Sequence, residues 1–167
     1  MSVTIRPYTS SDAASVAAVF FNAVRDIGPL GYTPDQVAAW APEVSAPSGF
    51  DARANDGRTT FVAVNPSGDV VGYADLELNG HLDHLYCRPD AAGCGIGGAL
   101  VDALLARASA QGLNRVYAEA SEIARPLFER KGFRCVERRE FVLRGVPIHN
   151  YAMEWTPPPA VAKARGK

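Results

Sequence analysis

The 167-residue chain is long enough for one domain with a sizeable core, and its 47% hydrophobic and 21% charged residues are typical of a globular protein, not a disordered one. A formal net charge of -1 offers no bulk attraction for nucleic acid or anionic membranes, so neither is expected as a partner. Three cysteines without a C-x-x-C pair, and an N-terminus without an apolar signal core, indicate reduced thiols and a cytoplasmic protein.

The first part of the chain predicts a strand and two helices. A strand at residues 3–6 is followed by a helix, capped by Ser10 or Ser11, whose apolar residues recur at helical spacing. Thr33, which is followed by proline, begins a second short helix. The segment 43–56 is rich in Pro, Ser, Gly and Asp and is predicted to be a loop.

Three consecutive strands are predicted next. Residues 59–64 and 70–78 have the pattern of an antiparallel hairpin joined by a turn. The dipeptide Asn79-Gly80 marks a second tight turn, after which a third strand covers residues 81–87.

The second half alternates helices with strands. The predicted elements are a helix at 95–111, a strand at 115–120, a helix at 123–131 and two strands within 134–155 that turn at Gly145-Val146-Pro147. Residues 156–167, with three consecutive prolines and a basic end, are predicted to be a disordered tail. Residues 1–155 are then expected to form a single domain.

A glycine loop at the start of the 95–111 helix is the clearest chemical signal. Its sequence is Gly93-Cys94-Gly95-Ile96-Gly97-Gly98. Four glycines leave the backbone amides unshielded, and the helix N-terminus adds partial positive charge. The loop is therefore predicted to bind a phosphate or pyrophosphate without help from Lys or Arg.

A dinucleotide-binding protein is one alternative interpretation. Gly93, Gly95 and Gly98 satisfy G-x-G-x-x-G, and Glu119 ends the next strand. Against this, five residues separate the strand from the first glycine, and only 48 residues follow Glu119, too few for the second half of that fold. A loop that merely packs a helix on a sheet is the other alternative.

Two motifs, in the correct order, resemble the GNAT N-acetyltransferase superfamily. The first is Leu82-x-x-Leu85-x-Cys87-x-Pro89 followed by Gly93-x-Gly95-Ile96-Gly97-x-x-Leu100, and the second is Ser121-x-x-Ala124-x-x-x-Phe128-x-x-x-Gly132-Phe133. The resemblance covers residues 3–155. It implies an α/β fold with a mixed, mostly antiparallel central sheet of about seven strands flanked by four helices.

The same resemblance implies acetyl-CoA as the cosubstrate and a primary amine, on a small molecule or a protein, as the acceptor. The edge of the strand at Leu85-Tyr86-Cys87 would pair with the pantetheine arm, and the amides of the glycine loop would hold the pyrophosphate. The thioester would lie where two parallel strands splay. Ser121, Ala124 and Phe128 would belong to the second coenzyme A motif.

Two positions depart from the family pattern. Ala92 stands where the family usually has Gln or Arg, and Phe128 stands where it usually has the tyrosine expected to protonate the departing thiolate. Phenylalanine has no proton to donate. A catalytically weak acyl-CoA binding or sensing protein is therefore an alternative to an active enzyme.

Three residues are candidates for the general base: Asp83, His84 and Glu119. Asp83 and His84 are neighbours on a strand, so only one of them can point inward. Tyr117, Tyr151 and Ser121 are candidate acids, with water as the alternative, and the backbone amide near Cys87 is a candidate for polarising the carbonyl group.

The remaining candidates each have a structural alternative. His81 and His84 would point to opposite faces of a strand, so no metal is expected. Cys94 lies beside a helix N-terminus and would be either a reactive thiol or an ordinary loop residue. Other side chains are expected to contact the acceptor or to serve in packing: His149, Asn150 and Tyr151 on the last strands, and Tyr32, Gln36 and Trp40 in the early helices.

Overall fold

The computed structural model describes residues 2–159. The strands are β1 (Thr4–Pro7), β2 (Thr59–Val64), β3 (Val70–Leu76), β4 (Leu82–Cys87), β5 (Val116–Ala120), β6 (Arg134–Leu143) and β7 (Val146–Trp155). The helices are α1 (Ala13–Ile27), α2 (Pro34–Trp40), α3 (Pro47–Ala54), α4 (Ile96–Ala110) and α5 (Arg125–Arg130). No helix within residues 2–159 has the length and apolar character needed to cross a membrane.

The seven strands form two sheets. One has the order β1-β2-β3-β4 and the other the order β5-β7-β6, with every pairing inside them antiparallel. A single parallel bridge between His81 and Tyr117 joins β4 to β5, where the Tyr117 amide donates to the Gly80 carbonyl at 3.0 Å. The predicted α/β fold with about seven mostly antiparallel strands is confirmed, and its sheet is divided at this junction.

Helices cover both faces of the four-stranded sheet. On one face, Leu100 and Leu104 of α4 are completely buried against Val71 of β3. On the other face, Val16 and Val19 of α1 pack with Tyr73. Because β3 is central and covered on both sides, each of its residues is buried.

The segment predicted as a loop at residues 43–56 contains α3, so residues 2–159 have five α-helices instead of the four predicted. Pro47 begins this short helix, and Phe50 is its one buried residue. A single apolar contact leaves no helical period in the sequence, whereas Pro, Ser and Gly favour a loop. Tertiary packing of Phe50 against Val16 and Tyr73 overrides that local preference.

Smaller differences concern the ends of elements. The α5 helix begins at Arg125, two residues after its predicted start, and β3 ends at Leu76 instead of 78. The final hairpin turns at Arg144 and Gly145, which have φ of 47° and 77°, so Val146 already belongs to β7. Residues 156–159 lie outside any helix or strand, and the rest of the predicted tail, 160–167, lies outside the described residues.

Candidate functional site

A groove of about 380 Å³ runs along the free edge of β4 toward the start of α4. Its walls come from α1, β4, the glycine loop and the start of α5. The residues predicted to bind the coenzyme that line it are Leu85, Tyr86, Cys87, Gly93, Gly95, Ile96, Gly97, Gly98, Ser121 and Ala124. The two sequence motifs therefore meet in one groove.

The glycine loop has a backbone that larger residues would adopt poorly. Gly95 caps the N-terminus of α4 with φ of 80°, in the left-handed region. A Cβ atom at Gly97 would lie 2.9 Å from Cδ2 of Leu127, so a side chain there would crowd α5. The amides of the first turn of α4 have no acceptor within the helix, which makes this end of the groove suited to an anion. Arg130 adds a positive charge to the same wall.

The two cysteines of this region differ in exposure. Cys87 lines the groove, and burial raises the pKa of its thiol to about 11, so it stays protonated at neutral pH. Cys94 is exposed, and its Sγ lies 3.9 Å from the Ala92 carbonyl oxygen. Cys94 is not among the residues that line the groove, although its backbone remains part of the glycine loop.

Beyond the bridge at His81, β4 and β5 separate around a small gap of about 50 Å³. Residues from both strands line it, together with Ser121 and Phe128. Phe128 is 3% exposed and packs on Phe133 with ring centroids 4.9 Å apart. Ser121 and Tyr86 each bring a hydroxyl group to the lining of this gap, and Oγ of Ser121 accepts a hydrogen bond from the Ala124 amide at 3.0 Å.

A second cavity of about 340 Å³ opens on the other side of the gap. It is lined by aromatic, apolar and charged side chains: Tyr32, Trp40, His81, Asp83, Tyr86, Glu119, Ser121, Arg139, Phe141, Leu143, Ile148, His149 and Asn150. Trp40, Tyr86 and Ser121 also line both the groove and the gap. The groove, the gap and this cavity are therefore neighbours that share these three side chains.

Asp83 reaches the gap but is held by arginines. It forms a close ion pair with Arg53 of α3, and Arg58 lies 3.6 Å away. Burial pulls the pKa of Asp83 upward, but the ion pair with Arg53 outweighs it and leaves the pKa below its ordinary value. Both partners are permanently charged, so neither can accept a proton from Asp83.

Glu119 reaches the same gap from β5 with a different partner. Its Oε2 lies 2.5 Å from Nε2 of His81, and Arg139 is 3.8 Å from its other oxygen. The hydrogen bond from His81 keeps the pKa of Glu119 below its usual range. The same contact, with a second one to Glu77, raises the pKa of His81 to about 9 despite burial.

The other predicted catalytic residues lie elsewhere. His84 faces a separate cavity beside Phe20, its Nδ1 lies 2.9 Å from the Tyr73 hydroxyl, and burial lowers its pKa to about 4. The hydroxyl of Tyr117 accepts a hydrogen bond from the Asn79 side chain at 3.1 Å. The structure thus brings together Asp83 and Glu119 but not His84 or Tyr117. His81 and His84 lie on opposite faces, as the strand pattern predicts.

Glu122 lies behind the second cavity and forms hydrogen bonds with two residues that line it, Tyr32 and His149. Its Oε2 accepts hydrogen bonds from Tyr151 at 2.7 Å and from Nε2 of His149 at 2.6 Å. The Tyr32 hydroxyl accepts from the Glu122 amide at 2.8 Å and donates to the His149 carbonyl at 3.0 Å. The hydroxyl of Tyr151 is engaged by this carboxylate, whereas His149 and Asn150 line the cavity.

Several site residues escape sequence reasoning: Arg53, Arg130, Arg139 and Glu122, and His81 as a partner of Glu119. Arg53 lies 30 residues from Asp83 and His81 lies 38 residues from Glu119, so no local spacing signals either contact.

Glu77, His81 and Asp83 also offer ligand atoms within 4.8 Å of one another. The cations Arg53 and Arg58 beside Asp83 oppose a metal ion there.

Comparisons with known proteins agree with this geometry. Residues 30–155 match the family model described as an acetyltransferase (GNAT) domain. The chain is 34% identical over 126 residues to the L-methionine sulfoximine/L-methionine sulfone acetyltransferase of Pseudomonas paraeruginosa. This match covers 68% of this chain and 68% of that one.

Solved structures with the same fold include a GCN5-related N-acetyltransferase from Rhodopseudomonas palustris. It has a TM-score of 0.85 and 31% sequence identity, and the match covers 94% of this chain and 97% of that one. A phosphinothricin acetyltransferase from Sinorhizobium meliloti, solved in complex with acetyl-CoA, has a TM-score of 0.77 at 21% identity, with coverage of 98% of this chain and 92% of that one. The chain belongs to the GNAT acetyltransferase family and is an acyltransferase.

Proposed function

We propose that the protein moves the acetyl group of acetyl-CoA to the primary amine of a small acceptor that also carries a carboxylate. The observation that supports it best is the gap between β4 and β5, whose lining residues Trp40, Tyr86 and Ser121 also line the groove and the second cavity. A donor in the groove and an acceptor in the cavity would meet in this gap. Holding the two reactants there is itself a large part of catalysis.

The groove fits the parts of acetyl-CoA in order. The apolar walls and free edge of β4 suit the pantetheine arm, while Gly95, the first turn of α4 and Arg130 suit the pyrophosphate. The backbone amide near Cys87 is then available to the thioester oxygen.

Within the gap, the chain's own residues would handle two protons. Glu119 would take the proton that the amine loses as its nitrogen attacks the thioester carbon. Ser121 would pass a proton to the departing thiolate and take one from water in the same step, so that no alkoxide is left; its Oγ accepts from the Ala124 amide and has a second lone pair for that water. Glu119 is preferred to Asp83 because its partner is a histidine that can itself titrate.

The charges of the second cavity favour a zwitterionic acceptor. Glu119 and Asp83 suit an ammonium group, and Arg139 lies 3.8 Å from Glu119, where it suits a carboxylate on the same molecule. Phe141, Leu143 and Ile148 offer apolar surface for a side chain. The relative from Pseudomonas paraeruginosa, named for action on methionine derivatives, supports an amino-acid-like acceptor for this chain.

The test is coenzyme A release with a panel of amines in matched pairs, each α-amino acid beside its carboxamide, with the acetylated product identified by mass spectrometry. We expect turnover with the free acids and a several-fold higher KM for the amides. Arg139→Gln should raise KM for the acids by about tenfold, as for one lost charged hydrogen bond, and should leave the amides nearly unchanged. Binding of acetyl-CoA with no acetylation of any amine would refute the proposed function.

The binding half of the proposal has its own test. Gly95→Asp should abolish acetyl-CoA binding measured by calorimetry, because it adds a Cβ at φ of 80° and a negative charge beside the expected pyrophosphate. Gly112→Asp is the matched control, because Gly112 has φ of 72° and open space around its Cβ position at the far end of α4. Equal affinity in wild type and Gly95→Asp would rule out this site.

A further inference from the structure

His81 is held on both ring nitrogens by carboxylates. Its Nε2 lies 2.5 Å from Glu119 and its Nδ1 lies 2.9 Å from Glu77. The ring also stacks on Tyr117, with centroids 4.8 Å apart and an interplanar angle of 13°. These contacts fix both the plane and the rotation of the imidazole.

The chain of three side chains leads from the gap to the surface. Glu119 lines the gap and the second cavity with its side chain 33% exposed, the side chain of His81 is 17% exposed, and that of Glu77 is 34% exposed in the turn after β3. Because Glu77 is not among the residues that line the cavity, an acceptor bound there would cover Glu119 and leave Glu77 open to solvent. Glu77 is one residue beyond β3, and its amide donates to the His81 carbonyl at 2.8 Å, which keeps the two residues together. A proton can therefore pass from the gap to the solvent side without leaving this row of atoms.

The charged groups that face His81 come from five neighbouring segments. Glu77 and Glu119 contact it directly, and Asp83 lies close to it on β4. On the positive side, Arg139 lies 3.8 Å from Glu119, and Arg58 lies 4.0 Å from Glu77. Each carboxylate in contact with His81 thus has an arginine beside it, and the hydrogen bond from His81 lowers the pKa of Glu119.

We propose, resting on the amine acetylation argued above, that His81 takes the amine proton from Glu119 and releases it to solvent through Glu77. In the productive state Glu119 is a carboxylate and His81 is neutral, with its one proton on Nδ1 toward Glu77. The amine N–H bond breaks as an O–H bond forms on Glu119. That proton then moves to Nε2 while the Nδ1 proton moves to Glu77 and on to water, which leaves a neutral imidazole protonated on Nε2. After the product leaves, Nδ1 takes a proton from water through Glu77 and Nε2 loses one through Glu119 to water in the gap, so the starting form of His81 returns.

The relay changes what a pH profile reports. A lone carboxylate would be ready to accept a proton at any pH above its own low pKa. At lower pH the Glu119–His81 pair carries one additional proton, which must be lost before Glu119 can accept a proton from the amine. The pH at which this proton is lost is a property of the pair and not of either residue alone. Since the pKa of His81 is about 9, activity should rise with pH up to that region.

The decisive comparison is kcat/KM against pH for wild type, His81→Gln and Glu77→Gln with one acceptor. The acceptor's own ionisation is the same in all three, so any difference belongs to the protein. We expect His81→Gln to lose the rise near pH 9 and to fall at least about tenfold at its best pH. Glu77→Gln should move the rise to lower pH. Glu140→Gln is the matched control, because that side chain is 76% exposed on β6.

A second readout does not depend on turnover. The chain has three histidines, so their ring signals in NMR spectra can be assigned with His81→Gln. We expect the His81 signal to titrate near pH 9 in wild type and at lower pH in Glu77→Gln, and the His84 signal near pH 4.

The outcomes separate the two proposals. A wild type that acetylates no amine refutes the proposed function. An active wild type that loses activity in Glu119→Gln, but has the same rate and pH profile in His81→Gln, refutes the relay alone. A His81 signal that titrates near its ordinary pKa and ignores Glu77→Gln would overturn the relay on structural grounds.

Discussion

The backbone of Gly80 lies so close to Arg115 that a Cβ atom at position 80 would be 2.3 Å from the Arg115 carbonyl oxygen. This contact is where the two sheets join, because Gly80 also accepts the Tyr117 amide hydrogen bond at 3.0 Å. The φ of Gly80 is 94°, which L side chains rarely adopt. The junction that aligns Glu119 with His81 thus requires a glycine.

Gly80→Ala is therefore expected to destabilise the protein by about 2 kcal/mol or more, through backbone strain and displacement of β5. Urea unfolding measures the change in free energy. Gly68→Ala is the matched control, because Gly68 has φ of 89° but open space around its Cβ position. If the two substitutions lower the free energy of unfolding equally, the close contact of Gly80 with Arg115 does not contribute to the loss of stability.

Stability should also depend on pH through His81. Its pKa is raised to about 9 in the folded state, so the protonated form is stabilised by folding. This contribution is fully present below the pKa of an unfolded histidine and is lost as the pH rises through about 9. The stability difference between wild type and His81→Gln should shrink over this interval in thermal unfolding. A difference that stays constant from pH 6 to pH 10 would contradict the assignment.

The thiolate acid can be tested by moving a hydroxyl group. Ser121→Ala should lower kcat by no more than about tenfold, since a thiolate leaves readily and water can protonate it. Phe128→Tyr places a hydroxyl in the same gap and should restore most of the lost rate in the Ser121→Ala background. Steady-state kinetics of the two single variants and the double variant check this. No recovery, with acetyl-CoA affinity unchanged, would argue against a protein acid.

Arg130 should contribute to coenzyme binding by charge. Arg130→Ala is expected to weaken acetyl-CoA binding by about two- to fivefold at low salt, the range of an exposed ion pair, and less at high salt. Arg107→Ala, at an exposed position in the last turn of α4, is the control with the same change in net charge. Calorimetry at two salt concentrations compares the acetyl-CoA affinities of the two variants. If both substitutions weaken binding equally, Arg130 acts only through the net charge of the protein and not through its place beside the groove.

Features that depend on neighbours in sequence could be predicted. The glycine loop, the strand before it and the order of the strands follow from local spacing, whereas the expectation that Ser121 lies near Gly95 and Leu85 rests on the family resemblance. All three residues line the groove. The α3 helix could not be predicted, because its stability comes from Phe50 packing on α1 and β3. For the same reason Arg53, which restrains Asp83, gave no signal, and the choice among Asp83, His84 and Glu119 required the geometry.

The proton chemistry at Glu119 is tested most directly by the kcat of Glu119→Gln, with acetyl-CoA affinity measured on the same preparation and Asp83→Asn beside it. We predict that Glu119→Gln lowers kcat by about 100-fold or more, as expected for a lost general base, while acetyl-CoA affinity is unchanged and Asp83→Asn loses less. A Glu119→Gln variant with the kcat of wild type would contradict the account.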